Sequence, residues 1–194
     1  VLAAARSDYE RALKQRNALL KSTRGRRGFD ESDRATLAVW NDQLARAGAA
    51  VMGARLQLLE ALEPEVDRAY QQLTDGPKHV SLGYESSSVA PGADQRALAH
   101  FSVADLYDLM MQAFERMERQ ERERGLTLVG PHRDDLLIRL GETPAKGYAS
   151  HGETWSTALA LRLGSWYVHL ADDPGRGSAP VLILDDVFAE LDAR

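Results

Sequence analysis

Asp185 and Asp186, closing the run Pro180-Val181-Leu182-Ile183-Leu184, are the residues of this chain best suited to hold a hard cation. An aliphatic run with β-branched members that ends in carboxylates describes a buried parallel strand with its acids at the carboxyl edge. Ligands of open α/β sheets sit outside that edge. Mg²⁺ is held by one or two carboxylates, with phosphate and water completing its shell. A cap on the following turn would account for Asp186 alone, whereas the further acids in Glu190-Leu191-Asp192 favour a nucleotide-type site.

A second group is Ser150-His151-Gly152-Glu153, which opens an apolar stretch carrying Trp155, Leu159, Leu163 and Trp166. Exposed amides at a helix start attract anions, and Ser150 with Glu153 also has the spacing of a capping box. The two readings are compatible if Glu153 bonds backward to the cap, because a carboxylate facing a phosphate would repel it. A third group, His132 with Asp134 and Asp135, follows Thr127-Leu128-Val129-Gly130-Pro131 and reads as strand, tight turn, strand. Three potential ligands in one turn can be imagined as a metal site, but hydrogen-bonded loop structure is the plainer expectation. No Gly-x-x-x-x-Gly-Lys-Ser/Thr loop occurs in the sequence, so the chain offers a magnesium acid without the backbone cradle that holds phosphates.

The elements that must position these groups are legible in the hydrophobic spacing. Leu2, Ala5, Tyr9, Ala12, Arg16 and Leu19 alternate at three and four residues, with one charged member. The rhythm resumes through Leu37, Trp40, Leu44, Ala47, Val51, Ala54, Leu58 and Ala61, a seam of about 3.5 residues. Between them lies Lys21-Ser22-Thr23-Arg24-Gly25-Arg26-Arg27-Gly28, so residues 1–73 read as two antiparallel helices joined at a basic tip. Asp30 or Ser32 can cap the second helix, and Pro64 kinks it or marks its end near Tyr70. Lys21, Arg24, Arg26 and Arg27 are either solvated surface or a sequence-independent contact with a phosphate backbone. His79–Tyr84 alternates like a half-buried strand, and Ser86–Gln95 reads as a loop. Ser102 with Asp105 opens a helix whose face carries Leu106, Leu109, Met110, Ala113, Phe114 and Met117. Its end, Glu115 to Arg124, reads as solvated ion pairs.

The 194 residues carry 24 basic and 29 acidic side chains, a net charge of −5, which excludes a globally basic nucleic-acid binder. With no cysteine, disulfides, thiol nucleophiles and thiolate zinc sites are excluded. No apolar run approaches the roughly 18 residues of a membrane span, and the opening residues do not read as a signal peptide.

Thr127 to Leu136 (TLVGPHRDDL), Lys146 to Glu153 (KGYASHGE) and Val181 to Asp192 (VLILDDVFAELD) resemble the RecF family of bacterial recombination-repair proteins in order and spacing. These are ABC-type ATPases whose heads are related to those of SMC and Rad50 proteins. The resemblance is dense over residues 125–194 and looser over 1–124. It implies a mixed α/β fold, an ABC/SMC-type head lobe with a helical arm formed by an antiparallel hairpin. Residues 1–124 would be the arm (the hairpin 1–73 plus strand, loop and helix), and residues 125–194 part of the head with signature motif and Walker B. The Walker A lobe and the carboxyl-terminal end would lie outside this chain.

The resemblance further implies that Asp185 holds Mg²⁺ through water, and that Asp186 replaces the glutamate that usually polarises the attacking water. An Asp is shorter by one methylene, which implies slow hydrolysis by the whole protein; without the phosphate cradle this chain alone is expected to be inactive. Ser150, His151, Gly152 and Glu153 match the signature motif that touches the γ-phosphate of ATP bound by the opposite subunit, although His151 and Glu153 depart from the usual Gly and Gln. Glu190, Leu191 and Asp192 match the D-loop at the dimer interface. The implied protein is cytoplasmic and forms an ATP-dependent homodimer on DNA (single-stranded, double-stranded, and gapped junctions). There it would act with RecO and RecR to help load RecA. The alternatives are the head of another SMC/Rad50-like ATPase, or a helical interaction module without nucleotide chemistry.

Overall fold

This computed structural model describes residues 2–25, 29–172 and 180–185. The chain gathers into two compact units, Val1–Leu56 with Tyr84–Asp135, and Gln57–Gly83 with Leu136–Arg194. These units follow spatial proximity and cut across chain order, because the long second helix contributes to both.

The expected hairpin is present as α1 (Leu2–Thr23) and α2 (Glu31–Leu73). Asp30 caps α2, its carboxylate accepting from the Asp33 N–H at 2.8 Å. In the first unit Arg16 Nε donates to Asn41 Oδ1 at 2.7 Å, and a methyl placed on Gly48 would lie 3.1 Å from the Tyr9 ring. Moving from 16 to 9 on one helix moves from 41 to 48 on the other, so the two run antiparallel. Tyr9, Ala12, Arg16 and Leu20 form the buried stripe of α1.

The 3.5-residue seam expected along α2 does not persist. Leu37, Leu44 and Val51 are buried, but Leu58 is 51% exposed and Ala61 is exposed. Ala45, Gly48, Ala49 and Met52 are buried instead, because the Met110 thioether of α3 (Val103–Arg124) presses on Gly48 from a second side. Beyond residue 56 the buried face becomes Leu62, Val66, Ala69 and Tyr70. A straight helix of 3.6 residues per turn drifts from a 3.5 repeat, and here α2 leaves one core for another. Pro64 lies inside α2, which continues to Leu73.

α3 begins with the expected capping box, Ser102 accepting from the Asp105 N–H and Asp105 from the Ser102 N–H. It ends where Gly125 takes the left-handed conformation at φ 71°. Leu106, Met110, Ala113 and Phe114 pack into the first core with Tyr9, Leu44 and Met52.

In the second unit the sheet order is β1 (Val80–Glu85), β2 (Asp135–Leu140), β3 (Thr143–Pro144). Leu140 pairs with Thr143 in an antiparallel hairpin. Val80, Leu82 and Leu140 pack against Leu62, Val66 and Tyr70 of α2 and Ala160 of α4 (His151–Asp172). Gly164 lets α4 approach α2 closely, since a Cβ there would stand 2.6 Å from Val66 Cγ2 and 2.9 Å from the Val66 backbone nitrogen.

Two expectations are corrected. Thr127–Val129 is irregular, not a strand. Its neighbours' side chains take the amides a ladder would use: Asn17 Oδ1 accepts from Thr127 N (2.7 Å), Glu121 Oε1 from Leu128 N (2.7 Å) and Ser87 Oγ from Gly130 N (2.9 Å). The run 180–185 is likewise not a strand, and Val181 and Ile183 are 85% and 84% exposed. A parallel strand requires neighbours to bond with, and among the described residues the only sheet is the three-stranded one above.

Candidate functional site

The α4 amino terminus is built as its residue spacing implies. Glu153 N donates to Ser150 Oγ at 3.2 Å, and Ser150 N donates to Glu153 Oε2 at 2.8 Å, the reciprocal bonds of a capping box. The other carboxylate oxygen, Oε1, receives Lys78 Nζ at 2.5 Å. The lysine and the capping bonds hold the Glu153 carboxyl at a pKa of about 2, below its usual range. Ser150, His151 and Gly152 remain exposed. Nothing stands within 4 Å of where a Cβ on Gly152 would be.

This arrangement fits an incoming phosphate: the acid is folded back, its charge is matched by a lysine, and the turn before it is open. Asp185 is exposed. The preceding segment is pinned at Pro180, whose carbonyl accepts from Trp166 Nε1 at 2.7 Å. Asp186 and the Glu190, Leu191 and Asp192 segment lie outside the described residues. Among the described residues no three His, Asp or Glu side chains assemble into a metal cage. With no phosphate-cradling loop in the sequence, these residues do not by themselves make a complete nucleotide site.

At the basic tip, Lys21 and Arg24 are exposed. The Arg24 side chain passes Gly125, where a Cβ would lie 3.2 Å from Arg24 Cδ. Arg26 and Arg27 lie outside the described residues.

The His132 turn is hydrogen-bonded loop structure. Asp134 accepts from Tyr84 Oη (2.7 Å), Ser87 N (2.8 Å), Ser87 Oγ (2.7 Å) and Ser86 Oγ (3.2 Å), which leaves its carboxylate committed. His132 Nδ1 is 2.6 Å from Tyr9 Oη, and Nε2 is 3.3 Å from Thr127 O. A carbonyl can only accept, so Nε2 carries the proton and Tyr9 donates to Nδ1. Burial lowers the His132 pKa and raises that of Tyr9.

Two connections escape sequence reasoning. Arg16, the charged member of the α1 stripe, is fully buried and bonds Glu121 Oε2 (2.6 Å) and Thr127 Oγ1 (2.7 Å), its guanidinium 4.4 Å from the centre of the Phe114 ring. Glu121 lies in the stretch read as solvated ion pairs, and that reading is corrected: Arg119–Glu123 and Arg122–Glu118 are surface pairs, but Glu121 is wholly buried. The available signal was a polar residue at a stripe position on each helix. Lys78 gives no such signal, since its partner stands 75 residues away.

No family model matches the chain. It is 52% identical to the DNA replication and repair protein RecF of Arthrobacter sp. (strain FB24), over 98% of this chain and 51% of that protein. The same-named protein of Streptomyces avermitilis is 53% identical over 100% of this chain and 49% of its own length. That of Renibacterium salmoninarum is 49% identical over 97% and 51%. A solved structure described as the recombination mediator protein RecF-ATP in the RecFOR pathway superposes with a TM-score of 0.80 at 23% identity, over 98% of this chain and 47% of that one. The corresponding RecF-ATPrS structure gives 0.79 at 24% identity over the same shares, 98% and 47%. These likenesses show the mixed helix-and-sheet fold. The chain spans about half the length of the curated relatives it matches.

Proposed function

We infer that this chain, which matches a partial RecF at about 50% identity over nearly its whole length, works as part of a RecF-type DNA replication and repair protein. That identity, sustained through both compact units, carries the reading. The activity we assign to the whole protein is ATP-controlled dimerisation on DNA.

In this reading residues 1–124 form the arm and residues 125–194 part of the head. The phosphate cradle comes from a part of the protein outside this chain, which also supplies the strands that Val181–Leu184 lack among the described residues. Burial of so apolar a segment is favourable at about 25 cal/mol per Å². Asp185 holds Mg²⁺ on the bound ATP, and Asp186 orients the attacking water. Ser150–Glu153 meets the γ-phosphate held by the opposite subunit, so each site needs residues from both subunits. Glu190, Leu191 and Asp192 line that interface. Binding ATP therefore links two heads, and hydrolysis separates them.

Lys21, Arg24, Arg26 and Arg27 contact the phosphate backbone of DNA without reading sequence. The partners we assign are RecO and RecR at single-strand gaps and single-strand/duplex junctions, with RecA loading as the outcome, in the cytoplasm; the likeness to a structure described as acting in the RecFOR pathway supports this assignment. No helix among the described residues is long and apolar enough to cross a membrane.

Sedimentation velocity of the full-length protein tests this reading. Mg-ATP is expected to convert monomer to dimer, and Ser150→Arg, which places a bulky side chain at the α4 turn, to abolish the conversion. A parent that stays monomeric with Mg-ATP, or a Ser150→Arg variant that dimerises normally, would overturn it.

A further inference from the structure

The turn assigned to the γ-phosphate carries an acid, Glu153, where negative charge is proposed to approach. Like charges at such range oppose binding unless a cation intervenes. Glu153 Oε2 is turned back onto the Ser150 N–H at 2.8 Å, and Oε1 is taken by Lys78 Nζ at 2.5 Å. Both oxygens are thereby engaged within the second unit.

Lys78 is not a chance surface neighbour. It sits between α2 and β1, and its carbonyl accepts from Gln71 Nε2 at 2.6 Å, which ties its backbone to α2. The next residue, His79, continues the tether, with Nδ1 2.9 Å from Asp67 Oδ2 and its carbonyl receiving Gly141 N at 2.8 Å. The ammonium is thus delivered to the α4 cap from an anchored segment. Its side chain is 50% exposed, and solvent-screened pairs of this kind add little to stability. The fold can do without the pair, whereas an uncompensated acid beside a triphosphate would matter.

We propose that Lys78 is a positioning residue of the nucleotide-contacting turn: its ammonium cancels the Glu153 charge, so that Ser150 and Gly152 can receive the γ-phosphate oxygens of ATP. This deepens the function proposed above and rests on it. The lysine does the work that a neutral glutamine in place of Glu153 would make unnecessary.

The test titrates Mg-ATP against the full-length protein and reads the dimer fraction by sedimentation velocity, so binding is scored without turnover. Lys78→Met is expected to raise the half-saturating ATP concentration about tenfold, with the thermal midpoint nearly unmoved. Adding Glu153→Gln to Lys78→Met removes the unbalanced charge, and the titration should return to within about twofold of the parent. A merely structural lysine would not be rescued in this way. If Lys78→Met titrates like the parent, or if the double variant stays as weak as Lys78→Met, this inference fails alone. A parent that never dimerises with Mg-ATP overturns the RecF-type reading and this inference with it.

Discussion

Arg16 Nη2 of α1 lies 2.6 Å from Glu121 Oε2 of α3, with both side chains out of contact with water. The pair is well partnered: Asn41 accepts from Arg16 Nε and Thr127 from Nη1, and Leu128 N donates to Glu121 Oε1. Such a pair adds little over an apolar substitute of equal volume, yet removing one partner strands a buried charge. Its evident consequence is positional, since it holds α1, α3 and the Thr127–Leu128 segment in one register.

Glu121→Gln leaves Arg16 buried without its counter-charge and should lower the unfolding free energy by about 3 kcal/mol. Arg16→Met should do comparable damage, and Arg16→Met with Glu121→Leu much less than the sum of the single changes. Urea unfolding followed by circular dichroism measures all of these, and simple additivity would show that the two residues do not act as a pair.

Gly130 holds φ at 116°, and a Cβ there would stand 2.6 Å from Tyr9 Oη. Gly130→Ala should therefore destabilise by about 2 kcal/mol or more through backbone strain and collision together. Tyr9→Phe removes the colliding hydroxyl together with its bond to His132 Nδ1, so Gly130→Ala is compared in the parent and in the Tyr9→Phe background, where thermal melts should show partial recovery of its penalty. Full recovery would mean that the backbone carries no strain.

His132 and Glu153 are two of the groups that shape the acid side of stability. Burial lowers the His132 pKa, so folding favours the neutral ring. Its contribution is complete above the ordinary value of about 6.5 and falls as pH drops through the lowered folded value. Glu153 is held at about 2, so its contribution is complete above its ordinary 4.5 and declines from there towards pH 2. Replacing His132 with Gln should flatten the stability profile just below pH 6.5, and Glu153→Gln should flatten it between pH 4.5 and 2. A profile that keeps its slopes in both variants would show that other groups are responsible.

In the full-length protein Asp185→Asn should cut magnesium-dependent ATP turnover by about a hundredfold or more, by loosening the metal. Asp186→Asn should block hydrolysis while leaving ATP bound, and so trap the dimer. Turnover assays paired with sedimentation separate the two, and parental turnover in both variants would refute the assigned roles.

Much of this arrangement was legible in the residues themselves. The hairpin, the Ser102–Asp105 and Ser150–Glu153 caps and the β1 strand follow from short-range spacing, and the structure has them all. The later course of the α2 seam was not legible, because burial there depends on Met110 of α3 and on a second core around Val66, which no local pattern encodes. Thr127–Val129 has the composition of a strand, but the Thr127 and Leu128 amides are captured by the side chains of Asn17, 110 residues away, and Glu121 on the preceding helix, and the Gly130 amide by Ser87, 43 residues away. Lys78 was invisible for the same reason. The spacing rules see a cap or a turn, and they cannot see which distant side chain will come to neutralise it.

The central claim, that Val181–Leu184 is a nucleotide-site strand completed by protein outside this chain, is tested most directly by amide hydrogen exchange of the full-length protein compared with this chain alone. The account predicts that the amides of Leu182, Ile183 and Leu184 exchange freely in the isolated chain and at least about a thousandfold more slowly in the full-length protein. Equally fast exchange in both would contradict it.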